Sequence, residues 1–152
     1  MQGCILIIDF GSQYTQLIAR RIRELKVYSV IYPFDKINQK LLKEIKPSGI
    51  ILSGGPKSVL DKDSPLLSSK ILNLNKPILG ICYGLQVISK HLGGKINKSL
   101  NREYGFAKIN IIAHSKILPT KWINKNEFVC CHNSRCFDIV NNMKTRTNMA
   151  RK

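Results

Sequence analysis

The segment PILGICYGLQ, residues 77–86, predicts a buried strand that turns sharply into a helix. Its first six residues are mostly apolar, as in a parallel strand covered on both faces, and the residues from Tyr83 onward follow a helical period. Gly80 and Gly84 stand two residues before and two residues after Cys82. A tight strand-to-helix turn leaves no room for side chains at those two positions. The spacing therefore predicts that Cys82 lies on the turn itself.

A cysteine on such a turn has the surroundings of a nucleophile. The dipole of the following helix favours the thiolate, which is the reactive form. The amide of Tyr83 points toward the same place and can bind an oxyanion. The same residues also fit a tight turn around an ordinary buried thiol. From this segment alone, both interpretations stay open.

Three more strand–helix units precede this one. Strands are predicted at ILIID (5–9), VYSVIYP (27–33) and SGIILS (48–53), and helices from Tyr14, over 38–45 and over 64–74. Asn38 is the predicted N-cap of the second helix, and Pro65 lies in the first turn of the third. Four such units in a row predict an α/β fold with a parallel sheet and helices on both faces.

Helical spacing also predicts which residues of two helices are buried. The predicted apolar face of the first helix consists of Tyr14, Leu17, Ile18, Ile22 and Leu25. That of the helix after the turn consists of Leu85, Ile88 and Leu92.

Three turns should meet in one crevice, because ligands of open parallel sheets bind beyond the carboxyl ends of the strands. They are DFGSQ (9–13), SGGP (53–56) and CYG (82–84). The two glycines of SGGP let a backbone amide approach a ligand closely, which would supply a second oxyanion donor. An ordinary strand-ending turn is the alternative. Together, the turns favour acyl transfer from a small amide or ester.

The rest of the chain is less regular. Strands are predicted at 104–113 and 126–132, and the last ten residues are polar without a clear period. We expect a domain over residues 1–136 and an atypical tail over 137–152. No signal peptide or membrane-crossing apolar run is visible, so the expected location is the cytoplasm.

Composition argues against two other classes of protein. The net charge is +16, from 25 Lys plus Arg against 9 Asp plus Glu, but the charges are spread along the chain without a basic run. A dedicated nucleic-acid binder is therefore the weakest of the hypotheses considered. The segment CCHNSRC (130–136) gathers three thiols with His132 but has no second half at zinc-ligand spacing. No metal site is expected, and an odd number of cysteines does not suggest a disulfide framework.

Four stretches carry a family resemblance: LIIDFGSQYTQLIARRIREL, GIILSGGPKSV, PILGICYGLQ and REYG. They resemble the amidotransferase domains of GMP synthases, which belong to the triad class of glutamine amidotransferases, and the likeness covers about residues 5–108. The turn around Cys82 and SGGP are shared by the whole class, whereas the first stretch is more specific. The resemblance implies the flavodoxin-like class I amidotransferase fold, here incomplete at the C-terminus.

The resemblance also implies the roles of particular residues. Cys82 would attack the side-chain amide of glutamine, with oxyanion donors at the amides of Gly55 and Tyr83 and substrate contacts at Gly54 and Gln86. The ammonia released would convert XMP to GMP in a synthetase domain or subunit. ATP and Mg²⁺ would belong to that partner, and no cofactor is expected in this chain.

The base of the triad is not evident in the sequence. The family carries a His-Pro-Glu motif, and none of His91, His114 and His132 is followed by Pro-Glu. No Ser-Gly-Gly-x-Asp-Ser phosphate loop for ATP occurs either. These features predict a truncated or frameshifted domain, or a fragment, whose activity is impaired. A glutaminase-like remnant that binds glutamine or a synthetase partner without turnover is the alternative.

Overall fold

The computed structural model describes the backbone of residues 3–98, 103–110, 126–133 and 137–140, and the side chains of residues 3–97. The strands are Cys4–Asp9 (β1), Tyr28–Pro33 (β2), Gly49–Leu52 (β3), Ile78–Gly80 (β4), Lys95–Lys98 (β5), Glu103–Asn110 (β6), Asn126–Asn133 (β7) and Phe137–Val140 (β8). The helices are Thr15–Glu24 (α1), Gln39–Ile45 (α2), Ser69–Leu72 (α3) and Tyr83–His91 (α4), with a 3-10 turn at Phe34–Lys36.

The first four strands form the predicted parallel sheet. Their order is β2-β1-β3-β4, so β1 and β3 are central. The register pairs Ile8 of β1 with Leu52 of β3, and Leu52 with Gly80 of β4. The carboxyl ends of β1, β3 and β4 therefore lie at the same edge of the sheet, which brings the three predicted turns to that edge.

Burial along β1 indicates that both faces of the sheet are covered. Leu6, Ile7 and Ile8 are all 0% exposed, although successive side chains of a strand point to opposite faces. Leu6 and Ile8 belong to a core cluster that also contains Leu42 of α2 and Val87 of α4. Helix α1 packs against β1 and β2. Full burial of each such aliphatic side chain contributes about 1.5–3 kcal/mol.

The apolar face predicted for α1 is wrong in part. Leu17 and Leu25 are 47% and 77% exposed, and Tyr14 precedes the helix as its N-cap and is 47% exposed. The fully buried residues of α1 are Thr15 and Ala19. Small side chains let a helix lie close to a sheet. The face of α1 that is buried is therefore the one with small residues, and not the one with the largest apolar residues.

The apolar face predicted for α4 is confirmed at Ile88, which packs against the core, and is wrong at its other two residues. Leu85 and Leu92 are 46% and 38% exposed. The buried residues of α4 are Tyr83, Gly84, Gln86, Val87 and Ser89. The cause is the close contact of Gly84 with the backbone of Leu52, which turns this side of the helix toward β3.

The helix predicted over 64–74 is reduced to one turn, α3, and Pro65 lies outside it. Ser68 has an extended backbone, with φ −57° and ψ 137°, and its Oγ accepts a hydrogen bond from the Lys70 amide (3.3 Å), so the helix begins after it. The Pro65 carbonyl accepts a hydrogen bond from the Tyr83 hydroxyl (2.7 Å). By contrast, the predicted Asn38 cap of α2 is confirmed, because its side chain accepts from the Leu41 amide at 3.0 Å.

The described residues between 97 and 138 belong to a second unit, and the first is built mainly on residues up to Ile96. In the second unit, β6 and β7 pair antiparallel, with Tyr104 opposite His132. The strands predicted at 104–113 and 126–132 are thus confirmed as far as they are described; residues 111–113 lie outside the described part. The domain boundary expected at residue 136 stays a prediction. No helix in the described segments is both long and apolar enough for a membrane crossing.

Candidate active site

Cys82 occupies the turn between β4, which ends at Gly80, and α4, which begins at Tyr83. Its backbone has φ 52° and ψ −109°, a conformation that side-chain-bearing residues rarely adopt. Such strain costs on the order of 1–3 kcal/mol and is concentrated at functional sites. The side chain is exposed at the N-terminus of α4. The predicted strand–cysteine–helix turn is therefore confirmed.

The two glycines that flank this turn are required by contact with backbone atoms. A Cβ on Gly80 would lie 2.6 Å from the carbonyl carbon of Gly84 and 2.6 Å from the amide nitrogen of Leu85. A Cβ on Gly84 would clash with the carbonyl oxygen of Leu52. Both positions thus allow α4 to pack directly against the ends of β3 and β4.

The SGGP turn adjoins the Cys82 turn. The amide of Gly84 donates to the carbonyl of Ser53 (3.0 Å), which ties the two turns together. A Cβ on Gly54 would lie 3.5 Å from Cβ of Cys82 and 3.4 Å from Oγ of Ser12. Ser12, Gly54 and Cys82 therefore surround one point. The prediction that the turns after β1, β3 and β4 converge is confirmed.

Asp9, the last residue of β1, organises the first of these turns. Its Oδ1 accepts hydrogen bonds from the amides of Gly11 (2.9 Å) and Ser12 (3.2 Å) and from Oγ1 of Thr15 (2.7 Å), and lies 3.3 Å from Oγ of Ser53. Partial burial raises the pKa of Asp9, but these hydrogen bonds outweigh it and hold the pKa below its ordinary value. The carboxylate thus holds the turn after β1 and lies beside Ser53 of the SGGP turn.

One polar stripe of α4 holds the loop that follows SGGP. The hydroxyl of Tyr83 donates to the carbonyl of Pro65, Oε1 of Gln86 accepts from the Val59 amide (3.3 Å), and Nζ of Lys90 donates to the Val59 carbonyl (3.0 Å). Burial is the main cause that raises the pKa of Tyr83 to about 12, so the hydroxyl stays a donor at neutral pH. The loop is therefore anchored to the helix that carries Cys82 at its start.

Comparison with known proteins agrees with this geometry. Residues 6–148 match the family model of the class-I glutamine amidotransferases. The chain belongs to the class-I glutamine amidotransferases. It is 50% identical over 114 residues to a GMP synthase [glutamine-hydrolyzing] of Pseudomonas putida (75% of this chain, 22% of the relative). It is 54% identical over 116 residues to that of Brachyspira hyodysenteriae (76% and 22%). The chain thus spans about a fifth of these relatives' length.

Solved structures share the amidotransferase fold. A Thermoplasma acidophilum protein, proposed to be one of the subunits of a GMP synthase, superposes with a TM-score of 0.76 at 31% identity, covering 93% of this chain and 68% of that one. A glutamine amidotransferase of Thermotoga maritima has a TM-score of 0.66 at 21% identity, covering 91% and 63%. The second likeness concerns the fold alone. The expected fold class is confirmed.

Some of the predicted amidotransferase site residues are brought together, and their roles stay predictions. Gly54 is the glycine of SGGP beside Cys82, whereas the Cα of Gly55 packs against Phe10, whose carbonyl oxygen would be 2.7 Å from a Cβ there. Gln86 is 4% exposed and its Oε1 is engaged by Val59, which leaves Nε2 as its remaining donor. The oxyanion roles of Gly55 and Tyr83 and the substrate contacts of Gly54 and Gln86 are not tested by these contacts.

The polar residues missed by sequence reasoning are Asp9, Ser12 and Ser53. Each lies in a turn that was expected to border the crevice, but their hydrogen bonds join residues as many as 43 positions apart. The sequence feature that could have identified Asp9 is its position at the end of a buried strand, because a carboxylate there can accept hydrogen bonds from the backbone amides that follow it.

The histidines supply no base among the described side chains. Nε2 of His91 lies 3.0 Å from Oδ1 of Asn73, at the far end of α4 from Cys82. From Tyr83 to His91 the helix rises by about 12 Å. The backbone of His132 lies in β7, its side chain is outside the described part, and so is His114. In the CCHNSRC segment, where no metal site was expected, only the backbone of residues 130–133 is described. Elsewhere, the described side chains contain no group of three or more His, Cys, Asp or Glu that could hold a metal ion.

Proposed function

We propose that this chain is the glutamine-hydrolysing part of a GMP synthase. It would supply ammonia for the conversion of XMP to GMP in purine nucleotide biosynthesis in the cytoplasm. The observation that carries the proposal is the strained Cys82 turn tied to SGGP through the Gly84–Ser53 hydrogen bond. The sequence identity of 50% and 54% to two GMP synthases supports a role in GMP synthesis over the role of another amidotransferase.

In this proposal, the thiolate of Cys82 attacks the side-chain amide carbon of glutamine. The carbonyl oxygen becomes an oxyanion, which the amides of Gly55 and Tyr83 would stabilise. The C–N bond breaks, the nitrogen leaves as ammonia after it takes up a proton, and a thioester remains on Cys82. Water then hydrolyses the thioester to glutamate and regenerates the thiol.

The same geometry supports the proposed substrate contacts. Gly54 lines the space beside Cys82, where the absence of a side chain leaves room for the amide group of glutamine. The Nε2 group of Gln86 is a hydrogen-bond donor and would suit the carboxylate end of the substrate. Because Val59 fixes Oε1 of Gln86, the orientation of this side-chain amide is set before the substrate arrives.

The protonation steps limit the proposed activity. No histidine of this sequence stands in a His-Pro-Glu motif. A positioned acid–base contributes roughly 10²–10⁴-fold to such steps. We propose that the chain alone is acylated at Cys82 but turns over slowly. ATP and Mg²⁺ would serve a synthetase domain or subunit, whose reaction is that of a ligase.

The alternative proposal is a glutaminase-like remnant that binds glutamine or a synthetase partner without turnover. The same observation of the sequence, three histidines without a following Pro-Glu, favours it. The two proposals differ in one measurable respect. Addition of a GMP synthetase domain should raise ammonia release from the amidotransferase part and should leave the remnant silent.

The test combines labelling with turnover. A chloromethyl ketone analogue of glutamine should alkylate Cys82, and excess glutamine should protect it. Burial raises the pKa of the Cys4 thiol, so Cys4 should react more slowly and serves as an internal reference. Ammonia release is then compared for wild type, Cys82→Ala and His132→Ala. Labelling without glutamine protection would refute the proposed function. Brisk release by the wild type that His132→Ala abolishes would identify His132 as the base.

A further inference from the structure

The hydroxyl of Ser53 occupies a buried position between two turns of the crevice. Ser53 is 0% exposed and follows the end of β3. Its Oγ accepts a hydrogen bond from the amide of Phe10 (3.1 Å) and lies 2.9 Å from the carbonyl oxygen of Gly54. It also lies 3.3 Å from Oδ1 of Asp9. The hydroxyl has a single hydrogen, so it donates to only one of the last two acceptors at a time.

The distances favour the Gly54 carbonyl as the acceptor. The Oγ–O separation is 2.9 Å to Gly54 against 3.3 Å to Asp9. Oδ1 of Asp9 already accepts from three other donors, all at shorter distances. Hydroxyl hydrogen bonds are strongest at about 2.7–2.8 Å, so the longer contact gains less. The amide of Phe10 and the carboxylate of Asp9 thus border the hydroxyl on one side, and Gly54 takes its hydrogen.

The carbonyl of Gly54 and the amide of Gly55 belong to the same planar peptide group. In a trans peptide the C=O and N–H bonds point in opposite directions, so a bond that fixes the carbonyl also fixes the amide. Both neighbours of this peptide are glycines, whose backbones rotate more freely than those of other residues. Among the described residues, no backbone carbonyl accepts a hydrogen bond from the Gly55 amide, whereas the Ser53 hydroxyl bonds the carbonyl of the same peptide.

We propose that Ser53 is a positioning residue that sets the orientation of the Gly54–Gly55 peptide, and with it the amide of Gly55. The inference rests on the proposed function, in which that amide receives the oxyanion. The hydroxyl belongs to a fully buried residue, so it acts on the substrate through other groups. It acts through the peptide: with the carbonyl held at Ser53, the amide keeps one direction before glutamine binds, and no free energy is spent on turning it during the reaction.

The kinetic test compares two alkylators at Cys82. The chloromethyl ketone analogue of glutamine places its ketone oxygen where the oxyanion would form, and its chloride leaves as the sulfur–carbon bond forms. With iodoacetamide the thiolate displaces iodide directly at carbon, so its rate reports thiol reactivity alone. Removing a full oxyanion donor costs about 10²–10³-fold in rate. We expect Ser53→Ala to lower the ratio of the two rates by about tenfold, because the donor is loosened rather than removed.

Ser29→Ala is the matched control. Ser29 is 1% exposed, lies in β2, and its hydroxyl donates to the Ala19 carbonyl at 3.4 Å. It is thus an equally buried serine away from SGGP, and its loss should leave the ratio of rates unchanged. Rates are measured at Cys82 by mass spectrometry of the labelled peptide, so reaction at other cysteines does not enter.

A second readout, NMR of the Gly55 amide, does not depend on alkylation of Cys82. In ¹⁵N-labelled protein, Ser53→Ala should shift the Gly55 amide resonance and speed its hydrogen exchange, and Ser29→Ala should not. An unchanged Gly55 resonance in Ser53→Ala, or an equal fall in both alkylation rates, would overturn the inference. A wild type that lacks glutamine protection at Cys82 would instead refute the proposed function, and the Gly55 resonance would still decide the role of Ser53.

Discussion

Replacing Gly80 with alanine measures how closely α4 packs against β4. The added Cβ would lie 2.6 Å from the carbonyl carbon of Gly84 and from the amide nitrogen of Leu85, and 2.7 Å from the carbonyl oxygen of Gly84. Real Cβ atoms essentially never come within 3.0 Å of such atoms. All three belong to the backbone of the first turn of α4, so no side chain can move aside. Relief requires a shift of the helix that carries Cys82.

The expected destabilisation follows from this overlap. Overpacking in a core costs typically about 1–3 kcal/mol, and the backbone contact places Gly80→Ala near the upper end, at about 3 kcal/mol. For a domain of this size, each kcal/mol lowers the melting temperature by roughly 2–4 °C. We therefore expect a fall of roughly 6–12 °C. Labelling of Cys82 by the chloromethyl ketone should fall as well, because the turn itself is displaced.

Gly93→Ala separates steric overlap from backbone strain. Gly93 has φ +80°, and no described atom lies within 4 Å of its Cβ position. Alanine there meets only the left-handed backbone, which costs about 1–2 kcal/mol. Urea unfolding followed by circular dichroism gives both free energies, provided the two variants share the wild-type slope. If Gly80→Ala proves as stable as Gly93→Ala, the close packing of the turn is refuted.

Three further predictions concern the hydrogen bonds of the crevice. The hydrogen bonds that lower the pKa of Asp9 stabilise the fold fully at pH values above 3.8, the ordinary pKa of this group. This stabilisation is lost progressively as pH falls through the lower pKa of the folded state. The urea midpoints of wild type and Asp9→Asn should therefore converge on acidification. Tyr83→Phe should lose about 0.5–1.5 kcal/mol, and unchanged stability would argue against its bond to Pro65. Gln86→Ala should lose about 1–3 kcal/mol, because the Val59 amide is left without its acceptor, and unchanged stability would contradict this bond.

The strands of the sheet and the Cys82 turn could be predicted because their causes are local. A strand buried on both faces must be apolar at successive positions, as residues 5–8 of β1 are, and that pattern is visible in one short stretch. The glycines at 80 and 84 each lie two residues from Cys82 in the sequence, so the close backbone contacts that require them follow from the turn itself. The convergence of the three turns then follows from the parallel order of the strands.

The helix faces and the loop before α3 could not be predicted, because their causes are distant in sequence. The orientation of α4 depends on contact between Gly84 and Leu52, which lie on different elements. Residues 64–68 stay outside α3 while the Pro65 carbonyl bonds the hydroxyl of Tyr83, 18 positions away. Periodicity within one helix contains no information about either contact.

The contacts that assemble the crevice consist largely of backbone groups held by other backbone groups and by buried or half-buried side chains. The Ser53 carbonyl holds the Gly84 amide, Asp9 holds the turn after β1, and Gln86 holds the Val59 amide. These bonds lie within the unit built on residues up to Ile96, and none of them involves a histidine. In the proposed function, attack by the thiol and stabilisation of the oxyanion would therefore depend on a part of the fold that needs no acid–base group to form. Proton transfer is a separable requirement, so alkylation at Cys82 and turnover of glutamine should respond independently to substitution.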